Sequence, residues 1–324
     1  MNKVGRQQTQ GSNNLSALFT RMETEPLSAA SESPIEISII LPAFQEEQGI
    51  PPLLMQIGAV MAKMRRPYEI LVIDDGSTDG TAARAREAGA RVISHPYNIG
   101  NGAAVKTGIR EARGRLIVMM DADGQHDPAD IPRLLEKLGT HDMVVGARTR
   151  ESETSLHRDL ANKVYNWFAS YICNRRIEDL TSGFRAIKAD AARAFLYLLP
   201  NTYSYPTTLT LAIVRSGRSL KYIPVKTARR VGRSKIRLLR DGTRFFFIIL
   251  KIATLFSPMK VFLPVSALMF LSGLGYGLMR IIFLDGRYGP TSAMLMTMAV
   301  VVFMVGLVSE QVAQMRFDRS EILD

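Results

Sequence analysis

Two carboxylates one residue apart, Asp121 and Asp123, follow a run of five apolar residues from Leu116 to Met120, with Gln125 shortly after them. A short uninterrupted apolar run is typical of a strand that is buried on both faces of a parallel sheet. The end of such a strand lies at the sheet edge where open α/β proteins bind ligands. Hard oxygen donors suit Mg²⁺ or Mn²⁺, which commonly share their ligands with substrate phosphates. We therefore predict a metal–diphosphate site at Asp121, Asp123 and Gln125.

An acidic surface turn is the alternative interpretation of this stretch. Asp127 stands directly before Pro128, the order expected of a helix N-cap followed by a proline in the first turn. We assign Asp127 to the cap and keep Asp121 and Asp123 for the metal.

A second polar group, the sequence Asp-Asp-Gly-Ser-Thr-Asp-Gly at 74–80, lies between a predicted strand and a predicted helix. A carboxylate there can accept hydrogen bonds from a nucleotide base or ribose, and the glycines let the backbone approach the ligand. Plain turn chemistry, with Ser77 or Asp79 capping the helix, is the alternative. We assign Asp74 to ligand binding and Asp79 to structure.

The sequence Gly-Asn-Gly at 100–102 resembles the start of a dinucleotide-binding fingerprint. Val105 occupies the position of the third glycine, and the motif follows a late βα unit instead of the first. A dehydrogenase is therefore disfavoured.

These polar groups require a scaffold, and the hydrophobic pattern predicts one. Strands alternating with helices of this length are typical of a doubly wound α/β sheet. The predicted helix 157–173 carries an apolar face of five residues, which we interpret as packing against the core or a membrane. A turn is predicted at 181–185. The face comprises Leu160, Val164, Trp167, Phe168 and Tyr171. Strands are predicted at 35–44, 68–73, 91–94, 116–120, 142–147 and 220–225, and helices ending near 64, 88, 113, 138, 173 and 199.

The composition limits the kind of protein. The chain has 324 residues, 47% of them hydrophobic, and a formal net charge of +11. The single cysteine, Cys173, excludes a disulfide framework and suits a reducing compartment. Residues 1–34 are polar and lack the apolar core of a signal peptide, so we predict a disordered tail.

Two apolar stretches near the C-terminus, Val261 to Leu284 and Thr291 to Val308, are long enough to cross a bilayer. At 1.5 Å per residue they reach about 36 and 27 Å. The short link 285–290 predicts a transmembrane hairpin, with helices at about 261–284 and 291–312. Two buried helices of a soluble domain are the alternative, which is disfavoured because no third helical partner follows.

The positive charge is concentrated before this hairpin. Residues 226–260 contain ten Lys or Arg and one acid, Asp241, which gives a net charge of +9. By the positive-inside rule the N-terminal domain is cytoplasmic. Adjacency to a membrane favours anionic lipid over nucleic acid as the partner of this segment. The apolar stretch 245–256 is too short to span and predicts a helix lying in the headgroups.

Several motifs occur in a fixed order along the chain. Together they resemble the GT-A family 2 glycosyltransferases, and most closely the branch of dolichyl-phosphate mannose synthases and polyprenyl-phosphate glucosyltransferases. The resemblance covers about residues 35–245 and the two-helix tail of one subgroup. The motifs are PAFQE at 42–46, DDGSTDG at 74–80, DADGQHDP at 121–128, VVGAR at 144–148, TSGFRA at 181–186 and GRSKIR at 232–237.

The resemblance implies a role for each matching residue. Catalysis is assigned to the metal-binding residues together with Arg148, which would sit near the sugar. Gln45 stands where the family commonly has Asn, a departure that puts a base or ribose contact in doubt. The nucleotide would bind at Pro42, Phe44, Glu46, Asp74 and Asp121; the metal at Asp121, Asp123 and Gln125; and the lipid phosphate at Arg158, Arg229, Arg230, Ser234 and Lys235.

The expected reaction is inverting transfer of a hexose from a nucleotide sugar to a polyprenyl phosphate. A lipid phosphate is already anionic, so it needs cations near it more than a general base. UDP-glucose is the preferred donor, by analogy with the two-span subgroup. GDP-mannose is the alternative donor, and a non-catalytic scaffold or sugar-nucleotide sensor is the alternative function. A processive polysaccharide synthase is disfavoured because the only Trp, Trp167, is not in a Gln-x-x-Arg-Trp motif.

The predicted organisation has five parts, in a multi-pass protein of a bacterial inner membrane. A homo-oligomer could assemble through the hairpins; the sequence neither requires nor forbids it. The parts are the tail 1–34, the catalytic domain 35–225, a basic juxtamembrane segment 226–260, the hairpin 261–315 and a cytoplasmic tail 316–324.

Overall fold

The structure, a computed structural model, describes residues 34–149, 156–202, 204–227, 250, 253–283 and 287–321. For 156–163 and 316–321 only the backbone is described. Seven strands form one sheet, and nine helices are assigned in the described part of the chain. The strands are β1 Ile37–Ala43, β2 Tyr68–Asp74, β3 Arg91–Ser94, β4 Leu116–Met119, β5 Met143–Arg148, β6 Arg185–Lys188 and β7 Leu220–Val225.

Helices alternate with the strands, and two long helices follow the sheet. Short 3₁₀ turns at Pro128–Asp130 and Leu196–Leu198 accompany α4 and α6. The helices are α1 Ile50–Met64, α2 Thr81–Glu87, α3 Asn101–Glu111, α4 Ile131–Leu138, α5 Leu156–Cys173, α6 Ala189–Ala194, α7 Tyr205–Arg215, α8 Met259–Phe283 and α9 Pro290–Glu321.

The sheet order is β3-β2-β1-β4-β6-β5-β7. All the pairings are parallel except those of β6, which runs antiparallel to β4 and β5. The predicted α/β class is confirmed, but a wholly parallel sheet is not. The sequence analysis placed Arg185 in a turn, whereas it begins the central strand β6 with its side chain fully buried. α7, which the sequence analysis did not predict, covers the sheet near β6.

The core lies on both faces of the sheet. β1 is buried along its whole length, with Ile39 and Leu41 in the cluster on one face and Ile40 in the cluster on the other. β4 is likewise buried throughout. The uninterrupted apolar run from Leu116 to Met120 therefore identified a central strand correctly.

Most of the aromatic face of α5 lies outside the core, although Phe168 packs against it. Trp167 is 68% exposed and Tyr171 is 45% exposed, whereas Tyr165, Ala169 and Ile172 are buried. The helix was predicted, but the face that it buries is a different one. Of the two interpretations of the aromatic face, packing against the core holds for Phe168 but not for Trp167 and Tyr171, and membrane-facing packing stays a prediction.

α8 and α9 form the predicted apolar hairpin. Both are long and apolar enough to cross a membrane. α9 continues as helix through residue 321, into the segment that the sequence analysis described as a tail. Of the predicted headgroup helix 245–256, residues 245–249 and 251–252 lie outside the described part. The described residues at its C-terminal end pack against the core of the domain, since Ala253 and Phe256 are fully buried there.

The Asp142 carboxylate, just before β5, connects the ends of the three neighbouring strands β5, β6 and β7. Asp142 accepts hydrogen bonds from Ser219 N at 2.8 Å, from Ser219 Oγ at 2.7 Å and from Lys188 Nζ at 2.9 Å. Burial raises the pKa of Asp142, but the bonds from Ser219 and Lys188 outweigh it and lower the pKa to about 2. The ionised form therefore stabilises the fold.

This gives a pH-dependent prediction for stability. Because the pKa is lower in the folded than in the unfolded chain, the stabilisation is present above about pH 4 and is lost as the pH falls toward 2. We expect Asp142→Asn to lower the free energy of unfolding by about 2 kcal/mol at pH 7, and by much less near pH 2. Thermal unfolding in detergent across this range measures it. Glu136→Gln, at an exposed carboxylate, is the control; an Asp142→Asn deficit that does not vary with pH contradicts the prediction.

Candidate active site

The carboxyl ends of β2, β1 and β4 lie side by side at one edge of the sheet. The three polar motifs found in the sequence follow these strands, so their loops are neighbours. A methyl group placed on Gly49 would lie 3.3 Å from Glu46 Oε2 and 3.8 Å from the carbonyl oxygen of Ala122. The loop after β1 therefore contacts the loop after β4, which carries Asp121 and Asp123.

The loop after β4 is a tight turn. Gly124 has φ +69°, a conformation that glycine adopts easily, and Gln125 N donates to Asp123 Oδ1 at 3.2 Å. Asp121, Asp123 and Gln125 are all partly exposed. The turn ends at Asp127, whose Oδ1 accepts from Ala129 N at 2.9 Å. The predicted capping role of Asp127 is confirmed.

Gly183, in the turn before β6, lies against the Asp121 carboxylate. A methyl group at this position would be 2.4 Å from Asp121 Oδ2, a separation that real Cβ atoms essentially never show. Only a glycine fits here without displacing the carboxylate. The sequence analysis quoted Gly183 within its motif but did not connect it with Asp121.

Asp179 anchors this turn and holds Arg148. Its carboxylate accepts from Arg148 Nε at 2.8 Å and from the Arg148 terminal nitrogen at 2.9 Å, and also from the backbone N–H groups of Thr181 and Ser182. Burial opposes ionisation of Asp179, but the bonds and charge of Arg148 outweigh it and keep its pKa below the ordinary value. Arg148, predicted to sit near the sugar, is thus held in a two-pronged ion pair beside the Asp121 loop.

His126 was also missed by the sequence analysis. It is 8% exposed, and its ring centroid lies 5.1 Å from that of Phe184. Its Nδ1 is buried and has no hydrogen-bond partner within the described part of the chain, and burial lowers the pKa of His126 to about 4. The imidazole is therefore neutral at pH 7. The backbone of His126 forms an isolated antiparallel β-bridge with Thr227. The loop after β4 therefore contacts the start of the basic segment.

The two aspartates at the end of β2, Asp74 and Asp75, make different hydrogen bonds. Asp74 Oδ1 accepts from Ser77 N at 3.1 Å, and its second oxygen has no partner among the described residues. Asp75 accepts from Ile99 N at 3.0 Å, Gly100 N at 2.8 Å and His95 Nδ1 at 2.7 Å. Asp74 is 4% exposed and its ligand-binding role stays a prediction, whereas Asp75 holds the loop before α3.

The third aspartate of this motif is structural, as predicted. Asp79 Oδ1 accepts from Thr81 N at 3.1 Å, and Asp79 Oδ2 accepts from Glu47 N at 3.3 Å. Burial opposes ionisation of Asp79, but these hydrogen bonds keep its pKa below the ordinary value. Asp79 therefore joins the β2 loop to the β1 loop.

Gln45 joins the same two loops. Its N–H donates to Ser77 Oγ at 3.0 Å and its side-chain amide donates to Thr78 Oγ1 at 2.8 Å. Its φ of +60° lies in the left-handed region, where Asn is enriched over Gln. The common family residue therefore suits the backbone better, while Gln45 gains the Thr78 contact. Beside it, Phe44 is 44% exposed and Pro42 is buried within β1.

The structure thus brings seven predicted residues to this edge and leaves others undescribed. Arg229, Arg230, Ser234 and Lys235 lie outside the described residues, and Arg158 lies in α5 with only its backbone described. The residues brought together are Pro42, Phe44, Glu46, Asp74, Asp121, Asp123 and Gln125, with Arg148 held by Asp179 beside them.

The donor set fits a divalent metal that takes further ligands from a substrate. Within the described residues no group of three or more His, Cys, Asp or Glu could hold a metal by itself. Two carboxylates and an amide oxygen are hard donors, and Gly183 leaves room that a methyl group would fill. A site of this kind binds a metal together with an anionic ligand such as a diphosphate.

Known protein families match two parts of the chain. Residues 38–196 match the model described as glycosyl transferase family 2, and residues 257–315 match the one described as GtrB C-terminal hairpin. The second match covers the apolar helices α8 and α9, which identifies the chain as a membrane protein.

Two curated relatives are similar to this chain in sequence. A dodecaprenyl-phosphate galacturonate synthase of Rhizobium johnstonii is 30% identical over 218 residues, which are 64% of this chain and 63% of the relative. An undecaprenyl-phosphate 4-deoxy-4-formamido-L-arabinose transferase of Klebsiella pneumoniae is 28% identical over 281 residues, 84% of each chain. The chain therefore spans just under two thirds of the first relative and most of the second.

Solved structures agree with the fold. Glucosyl-3-phosphoglycerate synthase from Mycobacterium tuberculosis, crystallised with Mn²⁺ and uridine-diphosphate-glucose, superposes with a TM-score of 0.54 at 22% identity. The superposition covers 68% of this chain and 78% of that one. The catalytic domain thus has the predicted GT-A fold, and from its ordered motifs, its sheet and its C-terminal helices the chain belongs to glycosyl transferase family 2, as an enzyme with a GtrB-type hairpin.

Proposed function

We propose that this enzyme transfers a hexose from a nucleotide sugar to a polyprenyl phosphate in the membrane. The observation that carries the proposal is that Asp74 and the Asp121–Asp123 pair lie at the same edge of the sheet, at the ends of the two strands that flank β1, in a chain that also carries an apolar hairpin. The two curated relatives support it, because both are named for transfer to a polyprenyl phosphate.

The nucleotide would bind between the loops after β1 and β2. Asp74 has one carboxylate oxygen without a partner among the described residues, which could accept from the base or ribose, and Phe44 offers an exposed ring against which a base could stack. Pro42 and Glu46 complete this end of the pocket. The loops are joined by Gln45 and Asp79, so the pocket is shaped before the ligand arrives.

Asp121, Asp123 and Gln125 would hold Mg²⁺ or Mn²⁺ against the donor diphosphate. A divalent ion there supplies charge stabilisation for the departing nucleotide diphosphate. The M. tuberculosis enzyme crystallised with Mn²⁺ and uridine-diphosphate-glucose supports divalent metal use, without deciding between Mg²⁺ and Mn²⁺. The protein contributes a fixed pair of carboxylates, with Gly183 packed against one of them.

The acceptor phosphate would be held by basic residues beside the membrane. Arg158, Arg229, Arg230, Ser234 and Lys235 carry this proposal by their position in the chain. Arg148, held by Asp179, supplies further positive charge beside the metal loop. An anionic acceptor needs no general base, and in-line attack inverts the anomeric carbon, giving a β-linked product from an α-linked donor.

Orientation and donor complete the proposal. The positive charge before the hairpin supports a catalytic domain on the cytoplasmic side of an inner membrane, where it would contact anionic lipid. UDP-glucose remains the preferred donor and GDP-mannose the alternative. The relatives are named for galacturonate and formamido-arabinose, so related chains differ in the sugar.

A donor panel tests the proposal. Purified protein in detergent is given undecaprenyl phosphate with UDP-glucose, UDP-galacturonate, UDP-4-deoxy-4-formamido-L-arabinose or GDP-mannose, with Mg²⁺, Mn²⁺ or EDTA. Formation of lipid-linked sugar from one donor, abolished by EDTA, is the expected result. Metal-dependent nucleotide binding without transfer to any lipid phosphate would contradict the acceptor, and absence of nucleotide binding would favour the scaffold alternative.

Asp75 offers a prediction about the pocket that does not involve ligand contact. Asp75→Asn removes charge from a carboxylate that accepts three hydrogen bonds. Because a charge-assisted bond contributes roughly 1.5–3 kcal/mol, we expect donor kcat/KM to fall about tenfold to a hundredfold. Initial rates at varied donor concentration measure this. The control is Glu111→Gln on the far side of α3, and equal losses in the two variants contradict a specific role of Asp75.

A further inference from the structure

Lys260, in the first turn of α8, is bonded to the C-terminal end of α5. Its Nζ donates to the carbonyl oxygens of Tyr171 at 2.5 Å and Ile172 at 2.9 Å, and to Asn174 Oδ1 at 2.7 Å. The last carbonyls of a helix have no partners within the helix, and a cation there also complements the helix dipole. The first membrane helix thus supplies the C-terminal cap of a helix in the catalytic domain.

Glu310, on α9, makes a second connection at the same junction. Its Oε2 accepts from Met259 N at 3.1 Å, one of the unpaired N–H groups at the start of α8. Its Oε1 lies 3.9 Å from a terminal nitrogen of Arg215, the last residue of α7. Both side chains are largely shielded, with 20% of Glu310 and 30% of Arg215 exposed. Glu310 therefore joins both hairpin helices to the catalytic domain.

The helix capped by Lys260 also carries the turn that lies on Asp121. Asn166 accepts from Leu180 N at 3.1 Å and donates to the Glu178 carbonyl oxygen at 2.8 Å. Ser170 Oγ accepts from Ile177 N at 2.9 Å. The turn held in this way continues to Gly183. Hydrogen bonds and close packing therefore connect the hairpin to the metal-binding carboxylate without a break.

We propose that Lys260 and Glu310 are positioning residues that lock the catalytic domain at one orientation over the bilayer. The inference rests on the proposed function, because orientation matters only if one reactant is fixed in the membrane. A misplacement of about 1 Å can cost a hundredfold in rate. An acceptor whose phosphate is held at the membrane surface cannot follow a tilted active site, whereas an acceptor free in solution can.

Two acceptors separate positioning from folding. Lys260→Met and Glu310→Gln are assayed with undecaprenyl phosphate in vesicles and with a short, water-soluble prenyl phosphate. We expect the vesicle rate to fall about tenfold or more and the soluble rate to stay within twofold of wild type. Lys260→Arg, which keeps a cation, should retain most of the vesicle rate, and Lys221→Met on β7 is the matched control. Parallel loss with both acceptors, or no loss, overturns the proposal.

A distance measurement tests the lock independently of the reaction. Spin labels replace two exposed residues, Met55 on α1 and Met294 on α9, in a Cys173→Ala background. We expect one narrow distance distribution in the parent protein and a broad or shifted one in the Lys260→Met, Glu310→Gln double variant. An unchanged distribution overturns the lock. If the wild-type protein glycosylates no lipid phosphate, the proposed function fails while this measurement still decides whether the lock exists.

Discussion

Replacing Asp123 with alanine is expected to lower the rate of sugar transfer about a thousandfold, with little effect on folding. The loss corresponds to several kcal/mol of charge stabilisation at the departing diphosphate. Asp123 is partly exposed, and its Oδ1 accepts a hydrogen bond from Gln125 N within its own turn. Its removal therefore disturbs little of the core. Initial rates with saturating donor and Mn²⁺, together with Mn²⁺ binding in the presence of the nucleotide diphosphate, measure the effect.

Asp127→Ala is the matched control for this prediction. Asp127 is a carboxylate of the same loop, but it caps the following turn through Ala129 N and is exposed. Loss of an N-cap costs about 1 kcal/mol of stability and leaves the metal donors in place. The transfer rate should stay within a few-fold of wild type. If Asp123→Ala and Asp127→Ala lower the transfer rate equally, the rate depends only on the total negative charge of the loop, and the assignment of Asp123 to the metal fails.

Gly183→Ala is expected to lower the transfer rate about a hundredfold through Asp121, a residue 62 positions earlier in the chain. The added methyl group would lie 2.4 Å from Asp121 Oδ2, so the carboxylate or the turn must move by about 1 Å. Mn²⁺ affinity in the presence of nucleotide should fall together with the rate. Metal titration by electron paramagnetic resonance and initial rates measure both effects.

Gly58→Ala is the corresponding control. Gly58 lies inside α1, where an added methyl group meets only the Tyr68 hydroxyl at 4.0 Å. Alanine in a helix interior should raise stability by roughly 0.5–1 kcal/mol without changing metal affinity. If Gly183→Ala binds Mn²⁺ and turns over as wild type does, the turn does not constrain Asp121 in the way that its packing indicates.

The lipid-phosphate residues and the metal residues differ in how far the structure supports them. Asp121, Asp123 and Gln125 lie together on the β4 loop, beside loops that carry the predicted nucleotide residues. Arg229, Arg230, Ser234 and Lys235 lie outside the described residues, so their assignment stays a prediction from the sequence.

Local pattern was sufficient for a large part of this protein. The uninterrupted apolar run Leu116 to Met120 predicted β4, the two long apolar stretches predicted α8 and α9, and Asp127 before Pro128 predicted the cap. Each of these features depends on neighbouring residues, because burial on both faces, membrane-spanning length and capping are encoded within one segment. The ordered motifs likewise led to the family that the comparisons show.

Only the tertiary structure decided which distant residues meet. β6 was missed because it is short, follows turn residues and begins with Arg185, a charge that pattern reasoning assigns to the surface. The buried Arg185 guanidinium donates from Nη1 to the Pro206 carbonyl oxygen at 3.0 Å and to Thr210 Oγ1 at 3.2 Å, both on α7. The buried face of α5 was misjudged because an aromatic stripe satisfies the helical period whether it faces the core or the outside.

The residues that support the site could not be predicted from the sequence for the same reason. Asp75 meets His95, Asp179 meets Arg148, and Gly183 meets Asp121 across intervals of 20, 31 and 62 residues. No local propensity records such pairs, since they form only when separate strands bring their ends to one edge of the sheet. The sequence by itself determined which side chains could do the chemistry and that the chain enters a membrane. The packing of the folded chain decided what holds those side chains in place.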